Sequence, residues 1–327
     1  MINFLPHPTL TKTNRKRLKI LALAGILVLA STLFLLEGPH TLDLVESRVE
    51  SGNLPREDSR LSGTVLAQTN EPKLELVNAN IPEPVLTAVA AIAYDPDSDK
   101  VLYQKNVHAR LAPASTTKIM TAIVSSQHFE SGDLLTVPPG AEVAGSKMGL
   151  AVGETLTFRS LLYGMMLNSG NDAAFTIAMN YPGGFDAFVA KMNSKAADLG
   201  LKDTHFDNPA GFDSPTHYSS AYDLLQISRE AVKNAKLGHV FSTKETSVSS
   251  IDRTQVHVLR NLNKLLGEDG VSGIKTGTTE MAGESFVGLA EKNGRTILTV
   301  MLNSRDRFGE TRKLIDWIFS NFTWQIN

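Results

Sequence analysis

The chain contains no cysteine and no marked excess of charge of either sign. Its 327 residues include 32 Lys and Arg against 34 Asp and Glu, a net charge of −2. The absence of cysteine excludes disulfide frameworks, thiol nucleophiles and Cys-ligated zinc or iron–sulfur sites. A nucleic-acid-binding protein would show a basic excess, so we expect no nucleic-acid partner.

The eight histidines also lack the spacings that accompany metal chemistry. None lies in a His-x-x-x-His or His-Glu-x-x-His sequence, so a zinc peptidase is not indicated and no metal or other cofactor is expected. A Ser-His-Asp triad is possible in principle, but no Gly-x-Ser-x-Gly elbow carries its serine. His205 and His217 flank a loop rich in Gly and Pro and are expected to be structural.

Charge and hydropathy set the N-terminal segments apart. Residues 1–19 carry five bases and no acid, which predicts a cytoplasmic basic segment. Residues 20–36 carry no charge and would form about 26 Å of helix, near the lower limit for crossing a bilayer. Residues 28–30 resemble a signal-peptidase site, but the apolar run continues beyond them, which favours a retained membrane anchor over a cleaved signal. Both interpretations place the rest of the chain outside the cytoplasm.

The remainder of the chain divides near residue 84. Residues 37–84 combine nine acids with five prolines and predict an acidic extended spacer, with one short helix near 42–49. Residues 85–327 have the periodic apolar pattern of a folded domain.

Within residues 85–327 we predict a sheet assembled from both ends of the domain. A hairpin is predicted over 87–104, a strand at 271–276, and two strands at 284–291 and 295–303 joined by the turn residues Asn293-Gly294. Helices are predicted at 115–128, 158–168, 172–179, 184–199, 220–235 and 309–320. The expected fold class is α/β (α+β): an antiparallel sheet flanked by helices, with a helical subdomain.

Three short strings carry candidate chemistry: Ser115-Thr-Thr-Lys118, Ser169-Gly-Asn171 and Lys275-Thr-Gly277. The combination occurs in penicillin-binding proteins and class A β-lactamases. The first two strings are weak signals alone, since Ser272–Lys275 and Ser51–Asn53 repeat their patterns elsewhere in the chain.

The first string has a direct chemical interpretation. Ser115 and Lys118 are three residues apart and share one helical face, so the hydroxyl can lie beside the amine. Serine becomes a nucleophile when a base takes its proton, and lysine is that base only if burial or a neighbouring cation lowers its pKa. Lys275 would supply such a cation.

The other two strings would complete a cleft. Ser169 could relay a proton to a leaving amine, and Asn171 could hydrogen-bond a substrate amide. Lys275, with the hydroxyls of Thr276 and Thr278, could hold a free carboxylate at a strand edge that pairs with an extended peptide. The backbone N–H groups of Ser115 and Thr278 could then form an oxyanion hole.

Longer stretches give these strings a context. The chain resembles the low-molecular-weight penicillin-binding proteins of the D-alanyl-D-alanine carboxypeptidase family, from about residue 88 to about residue 304. The stretches that carry the resemblance lie at 94–103, 110–122, 145–149, 208–211, 217–223 and 275–283. Family members often continue into a β-rich domain and a C-terminal anchor, whereas this chain ends 52 residues after Lys275. We therefore expect its anchor at the N-terminus.

The resemblance implies a β-lactamase/transpeptidase-like fold and a set of roles. Ser115 is implied as the acylated nucleophile and Lys118 as its base. The implied active-site partners are Ser169, Asn171, Lys275 and Thr276. The implied substrate is a peptidoglycan stem peptide, whose terminal D-alanine is released, and β-lactams are implied as covalent inhibitors.

Three alternatives remain. An endopeptidase that cleaves D-Ala cross-links would use the same residues. A class A β-lactamase needs a glutamate between the second and third strings, but none occurs between Glu154 and Glu230, so rapid β-lactam turnover is not expected. A non-catalytic envelope protein that binds stem peptides is disfavoured by the intact Ser115, Lys118 and Lys275.

Overall fold

A computed structural model of the protein describes residues 73–76 and 81–325. The predicted basic segment 1–19, the anchor 20–36 and the short helix near 42–49 lie outside these residues. Among the residues described, no helix combines the length and apolar character needed to cross a bilayer.

The described chain alternates strands and helices, with a helical middle. Strands are β1 (Lys73–Leu76), β2 (Ala90–Asp95), β3 (Lys100–Lys105), β4 (Leu134–Thr136), β5 (Thr155–Thr157), β6 (Glu245–Ser249), β7 (Val256–Arg260), β8 (Val271–Thr279), β9 (Gly283–Lys292), β10 (Arg295–Ser304) and β11 (Phe322–Gln325). Helices are α1 (Lys118–His128), α2 (Phe158–Leu167), α3 (Asn171–Met179), α4 (Gly184–Asp198), α5 (Ala221–Val232), α6 (Ala235–Ser242) and α7 (Arg307–Asn321). A 3-10 turn, Ala114–Thr117, leads directly into α1.

The main sheet has five antiparallel strands in the order β3-β2-β10-β9-β8, so both ends of the domain build it, as predicted. The predicted turn between β9 and β10 is confirmed, since Asn293 and Gly294 both have positive φ, as a type I′ hairpin turn requires. β8 is an edge strand. Its outer side therefore carries backbone groups that no strand of this sheet pairs with.

Two apolar layers cover the sheet. On one face, Ile92 and Val300 join the large core formed with the helical region. On the other face, Ala91 and Met301 pack with Leu314 and Ile318 of α7. Adjacent residues of one strand point to opposite faces, so β2 is buried along its whole length.

Some local predictions need correction. The helix predicted over 220–235 is interrupted, because Asn234 accepts a hydrogen bond from the Lys236 N–H and begins a second helix, α6. Ser220 caps α5 by accepting from the Asp223 N–H, but the Asp223 carboxylate accepts from Asp203 N–H and the Thr204 hydroxyl instead of closing a capping box.

Two pairings were not predicted. β6 and β7 form a hairpin, and β1, which falls within the predicted spacer, pairs with β11.

Candidate active site

Ser115 lies on the 3-10 turn that leads into α1, and Lys118 is the first residue of α1. A 3-10 helix has three residues per turn, so side chains at positions i and i+3 are almost eclipsed. Lys118 Nζ accordingly lies 3.0 Å from Ser115 Oγ. Ser115 is half-buried, so its hydroxyl remains accessible, whereas Lys118 is completely buried.

Among the described residues, Lys118 has three polar neighbours and no counter-ion in contact. Besides Ser115, its Nζ lies 2.7 Å from Asn171 Oδ1 and 2.7 Å from the carbonyl oxygen of Ala210. Burial lowers the pKa of Lys118 well below that of an ordinary lysine, and the positive charge of Lys275 acts in the same direction. Two N–H groups of a neutral amine satisfy the amide and carbonyl oxygens, which leaves the nitrogen lone pair for the Ser115 hydroxyl.

The backbone around Ser115 is held in an unusual conformation. Ala114, the residue before Ser115, has φ of 48°, a strained value for a residue with a side chain. Gly211 has φ of 90°, and a Cβ there would lie 1.8 Å from the Ala114 carbonyl oxygen. A Cβ on Gly277 would lie 3.1 Å from the Ser115 nitrogen. Gly211 and Gly277 thus allow the loop 208–212 and the strand β8 to pack closely against the strained turn.

The second string forms the turn between α2 and α3. Ser169 is buried, with φ of 56°, and its hydroxyl makes no hydrogen bond within the described part of the chain. Asn171 begins α3 and holds Lys118 through Oδ1, while its Nδ2 donates to the Ala144 carbonyl at 2.8 Å. The contact between Asn171 and Lys118 was not predicted; it shows that this amide acts on the lysine.

Several residues outside the motifs support the site. The Asp172 carboxylate accepts from the N–H groups of Met148, Gly149 and Leu150, at 2.9–3.1 Å, and fixes that loop beside α3. The Asn208 Oδ1 accepts from three N–H groups of residues 210–212 and shapes the loop that offers the Ala210 carbonyl to Lys118. The role of Asp172 could not be assigned from the motifs, because its partners lie 22–24 residues away in sequence. Asn208 acts within its own loop, 208–212.

His217 is buried behind the nucleophile turn. Its Nδ1 accepts from the Asp207 N–H at 3.0 Å, so the proton lies on Nε2, which donates to Thr117 Oγ1 at 2.9 Å. Burial lowers the pKa of His217 to about 4. The neutral ring therefore supports the 3-10 turn, in agreement with the expected structural role.

The third string lies on the edge strand β8. Lys275 is buried, and its Nζ donates to the Thr276 carbonyl at 3.0 Å. Burial lowers the pKa of Lys275 to about 7, and nearby Arg307 contributes to the shift. Thr276 is buried beside it, whereas Thr278 is exposed at the end of the strand.

Arg307, at the start of α7, is a site residue that the motifs missed. Its Nη1 donates to the Gly277 carbonyl at 2.8 Å and to Thr278 Oγ1. The Arg307 Nε is buried without a protein partner among the described residues. Two cations, Lys275 and Arg307, therefore converge on the same strand end, an arrangement suited to a carboxylate. A basic residue at the start of a closing helix was the only signal available in the sequence.

The structure brings Ser115, Lys118 and Asn171 into direct contact. The strand β8, which carries Lys275, Thr276 and Thr278, packs against the 3-10 turn at Gly277. Ser169 is buried in the same turn as Asn171 and makes no side-chain hydrogen bond to the other predicted residues. Within residues 73–76 and 81–325, no cluster of three or more His, Asp or Glu side chains is placed to hold a metal ion. A serine against a buried lysine, beside a cationic strand edge, is the arrangement that serine–lysine hydrolases use.

Comparison with known proteins identifies the family. Residues 77–306 match the D-alanyl-D-alanine carboxypeptidase family of peptidases, and the chain belongs to it. It is 35% identical over 245 residues to the D-alanyl-D-alanine carboxypeptidase DacF of Bacillus subtilis, and 34% identical over 257 residues to DacA of Escherichia coli. These matches cover 72% and 73% of this chain but only 63% and 62% of the relatives' lengths.

A solved structure confirms the fold. The crystal structure of a Streptomyces DD-transpeptidase superposes with a TM-score of 0.70 at 32% identity, covering 73% of this chain and all of that chain. The predicted transpeptidase-like fold and the family resemblance are both confirmed.

Proposed function

We propose that the protein is a serine-type D-Ala-D-Ala carboxypeptidase that removes the terminal D-alanine from peptidoglycan stem pentapeptides through an acyl-enzyme on Ser115. The observation that carries this proposal is the 3.0 Å contact between Ser115 Oγ and a completely buried Lys118 with a lowered pKa. The names of the relatives, which are D-alanyl-D-alanine carboxypeptidases, supply the substrate class.

The proposed reaction has two halves. Ser115 Oγ attacks the carbonyl carbon of the penultimate D-alanine while its proton passes to Lys118 Nζ. The oxyanion is received by the N–H groups of Ser115 and Thr278. The C–N bond then breaks, the leaving amine takes the proton from Lys118 by way of Ser169, and D-alanine departs. A water molecule hydrolyses the remaining ester and restores the Ser115 hydroxyl.

The strand edge would orient the substrate. An extended peptide can pair with the outer side of β8, as in other cases of strand addition. Its free carboxylate would then meet Lys275, Thr276 and Thr278, with Arg307 behind Thr278. The carboxylate of a β-lactam would bind in the same way, which makes β-lactams covalent inhibitors of the proposed enzyme.

Mass spectrometry of muropeptides tests the activity. Pentapeptide monomers and cross-linked dimers would be incubated with residues 37–327, and the Ser115→Ala variant would serve as the control. We expect each monomer to lose one D-alanine and the variant to be inactive. Conversion of dimers to monomers would instead identify an endopeptidase. No reaction by a folded sample would contradict the proposal and favour a stem-peptide-binding protein.

We also propose that β-lactams form a long-lived acyl-enzyme. A class A β-lactamase uses a glutamate to activate the deacylating water, and this chain has none between Glu154 and Glu230. Intact-protein mass spectrometry should show one penicilloyl adduct per chain that persists after excess drug is removed. Rapid penicillin hydrolysis dependent on Ser115 would contradict this proposal.

The location is a separate proposal. The seventeen uncharged residues 20–36, preceded by five bases, support a single-pass tether in the cytoplasmic membrane with the catalytic domain outside the cytoplasm. We expect the full chain to remain with membranes after an alkaline wash and residues 37–327 to remain soluble. A full chain found in the soluble fraction would contradict the tether.

A further inference from the structure

A buried acid–base pair lies beside the loop 144–150, outside all three motifs. His257 on β7 and Glu154, just before β5, are 103 residues apart in sequence, and His257 Nε2 lies 2.6 Å from Glu154 Oε1. Their side chains are only 6% and 4% exposed. His257 Nδ1 lies 3.2 Å from the Met148 carbonyl oxygen, and Glu154 Oε2 accepts from the Ala151 N–H at 3.1 Å.

These contacts fix the number of protons that the pair holds. A carbonyl oxygen can only accept, so His257 Nδ1 must carry a proton to bond Met148. The 2.6 Å contact between Nε2 and Glu154 requires a second proton, on one atom or the other. The pair is therefore either an imidazolium with a carboxylate or a neutral ring with a carboxylic acid. In both forms His257 is anchored to Glu154 and donates to Met148.

The loop that His257 contacts is held from two sides. On the α3 side, the Asp172 carboxylate accepts hydrogen bonds from the N–H groups of Met148, Gly149 and Leu150. On the β7 side, His257 Nδ1 donates to the Met148 carbonyl. Asp252 is the other acidic residue that lines the surface cavity beside Glu154.

The loop 144–150 is linked to Lys118 through the side chain of Asn171. The Ala144 carbonyl accepts from Asn171 Nδ2 and the Ser146 carbonyl accepts from the Asn171 N–H, both at 2.8 Å. Between them, a Cβ on Gly145 would lie 2.7 Å from Asn171 Nδ2, so the loop is in close contact with this amide. Asn171 Oδ1 is in turn 2.7 Å from Lys118 Nζ.

We propose that His257, whose ring is held by Glu154, is a positioning residue for the acylation of Ser115, a role that rests on the proposed function. By donating to the Met148 carbonyl it holds the loop 144–150 against Asn171, which directs the Lys118 lone pair at Ser115. Loss of the bond between His257 and Met148 should slow the chemical step and leave the carboxylate-binding edge of β8 intact.

Two isosteric substitutions separate hydrogen bonding from packing. The side-chain amide nitrogen of Asn can replace Nδ1 of histidine, and that of Gln can replace Nε2. His257→Asn therefore keeps the bond to Met148, whereas His257→Gln keeps the contact with Glu154 and loses Met148. Gln is the closer of the two to histidine in size, so a role in packing alone predicts the opposite order of activity.

The measurement is stopped-flow acylation by a fluorescent penicillin, which yields the limiting acylation rate and the apparent dissociation constant separately. We expect His257→Gln to lower the limiting rate roughly tenfold and His257→Asn to lower it less than about threefold, each with an unchanged dissociation constant. Glu154→Gln should stay within about twofold of the unsubstituted protein, because its NH2 group can donate to Nε2 of a neutral His257.

A matched control accounts for general destabilisation. Ile318→Val removes one buried methylene from α7 on the opposite face of the sheet, lowers the unfolding temperature modestly and should leave the acylation rate unchanged. Equal rates for His257→Asn and His257→Gln, or a faster Gln variant, would overturn the inference. Failure of the unsubstituted protein to be acylated would overturn the proposed function itself.

Discussion

Lys118 is the residue whose surroundings differ most from those of an ordinary lysine. It is fully buried, has no carboxylate in contact within the part of the chain that the structure describes, and lies beside two hydrogen-bond acceptors, Asn171 Oδ1 and the Ala210 carbonyl. Water cannot stabilise its charge there, so the neutral base is favoured. A neutral amine next to Ser115 is what the proposed role of Lys118 as a base requires.

The base role predicts a large effect of Lys118→Met, which keeps the length of the side chain and removes the amine. We expect the acylation rate to fall by roughly 10²–10⁴-fold, the range typical of a lost general base. Penicillin-acylation kinetics on a folded sample, confirmed by circular dichroism, measure it. Lys191→Met, at an exposed position of α4, is the control and should be unchanged. A loss of less than about threefold would show that another group removes the proton.

Lys275 predicts a pH dependence. Its pKa is lowered to about 7, so in the free enzyme it loses its charge as the pH rises through that value, and carboxylate binding should weaken. We expect kcat/KM, which reports the free enzyme, to fall above pH 7. Lys275→Arg stays charged and should move this alkaline limb to higher pH. The same limb in both proteins, measured from pH 5 to pH 10, would exclude Lys275 as its origin.

At the scale of elements, the conformation of the turn that carries Ser115 depends on the loop that follows α4. Residues 208–212 are folded around the Asn208 side chain and press Gly211 against Ala114. A side chain on Gly211 would collide with the Ala114 carbonyl, so the loop would have to withdraw and take the Ala210 carbonyl away from Lys118. The strained turn and the base are therefore held by the same loop.

Gly211→Ala tests this dependence. We expect it to lower the unfolding temperature and nearly abolish acylation, because it combines a positive φ with a clash at 1.8 Å. Gly200→Ala is the matched control: its φ is also positive, at 70°, but no atom lies within 4 Å of the added Cβ, so only a strain of about 1–2 kcal/mol is expected. Equal effects of the two substitutions on acylation would show that the contact with Ala114 is unimportant.

The elements that the sequence predicts are those whose signals are local. Asn293-Gly294 specifies the β9–β10 turn by its own backbone preferences, and the spacing of Ser115 and Lys118 fixes their proximity. The rest of the site depends on contacts between residues distant in sequence. The Ala210 carbonyl is 92 residues from Lys118 in sequence. Every residue has a backbone carbonyl, so the residue type at position 210 does not indicate this contact. Arg307, Glu154 and His257 could not be predicted either, because their partners are also distant in sequence.

At the scale of the whole domain, the first and last strands of the described part of the chain close the fold on the side of the sheet covered by α7. The sheet pairs β2 with β10, and β1 pairs with β11. Trp324, in β11, donates from Nε1 to Asp95 Oδ2 at 2.6 Å. Asp95 is fully buried and also accepts from the Asp97 N–H and the Ser98 hydroxyl. The last strand is therefore linked to the end of β2 and its turn.

This closure predicts a stability effect without a catalytic one. Trp324→Phe keeps an aromatic ring and removes the donor to a buried carboxylate, a bond worth about 1.5–3 kcal/mol, so the unfolding temperature should fall by roughly 3–12 °C. Trp317→Phe is the comparison, since its Nε1 makes only a 3.4 Å contact with the Ile81 carbonyl and should cost less. Differential scanning calorimetry measures both, and acylation rates below the transition should match the unsubstituted protein. If the two substitutions were equally destabilising, the bond to Asp95 would contribute nothing specific, and the closure would rest on apolar packing against α7 alone.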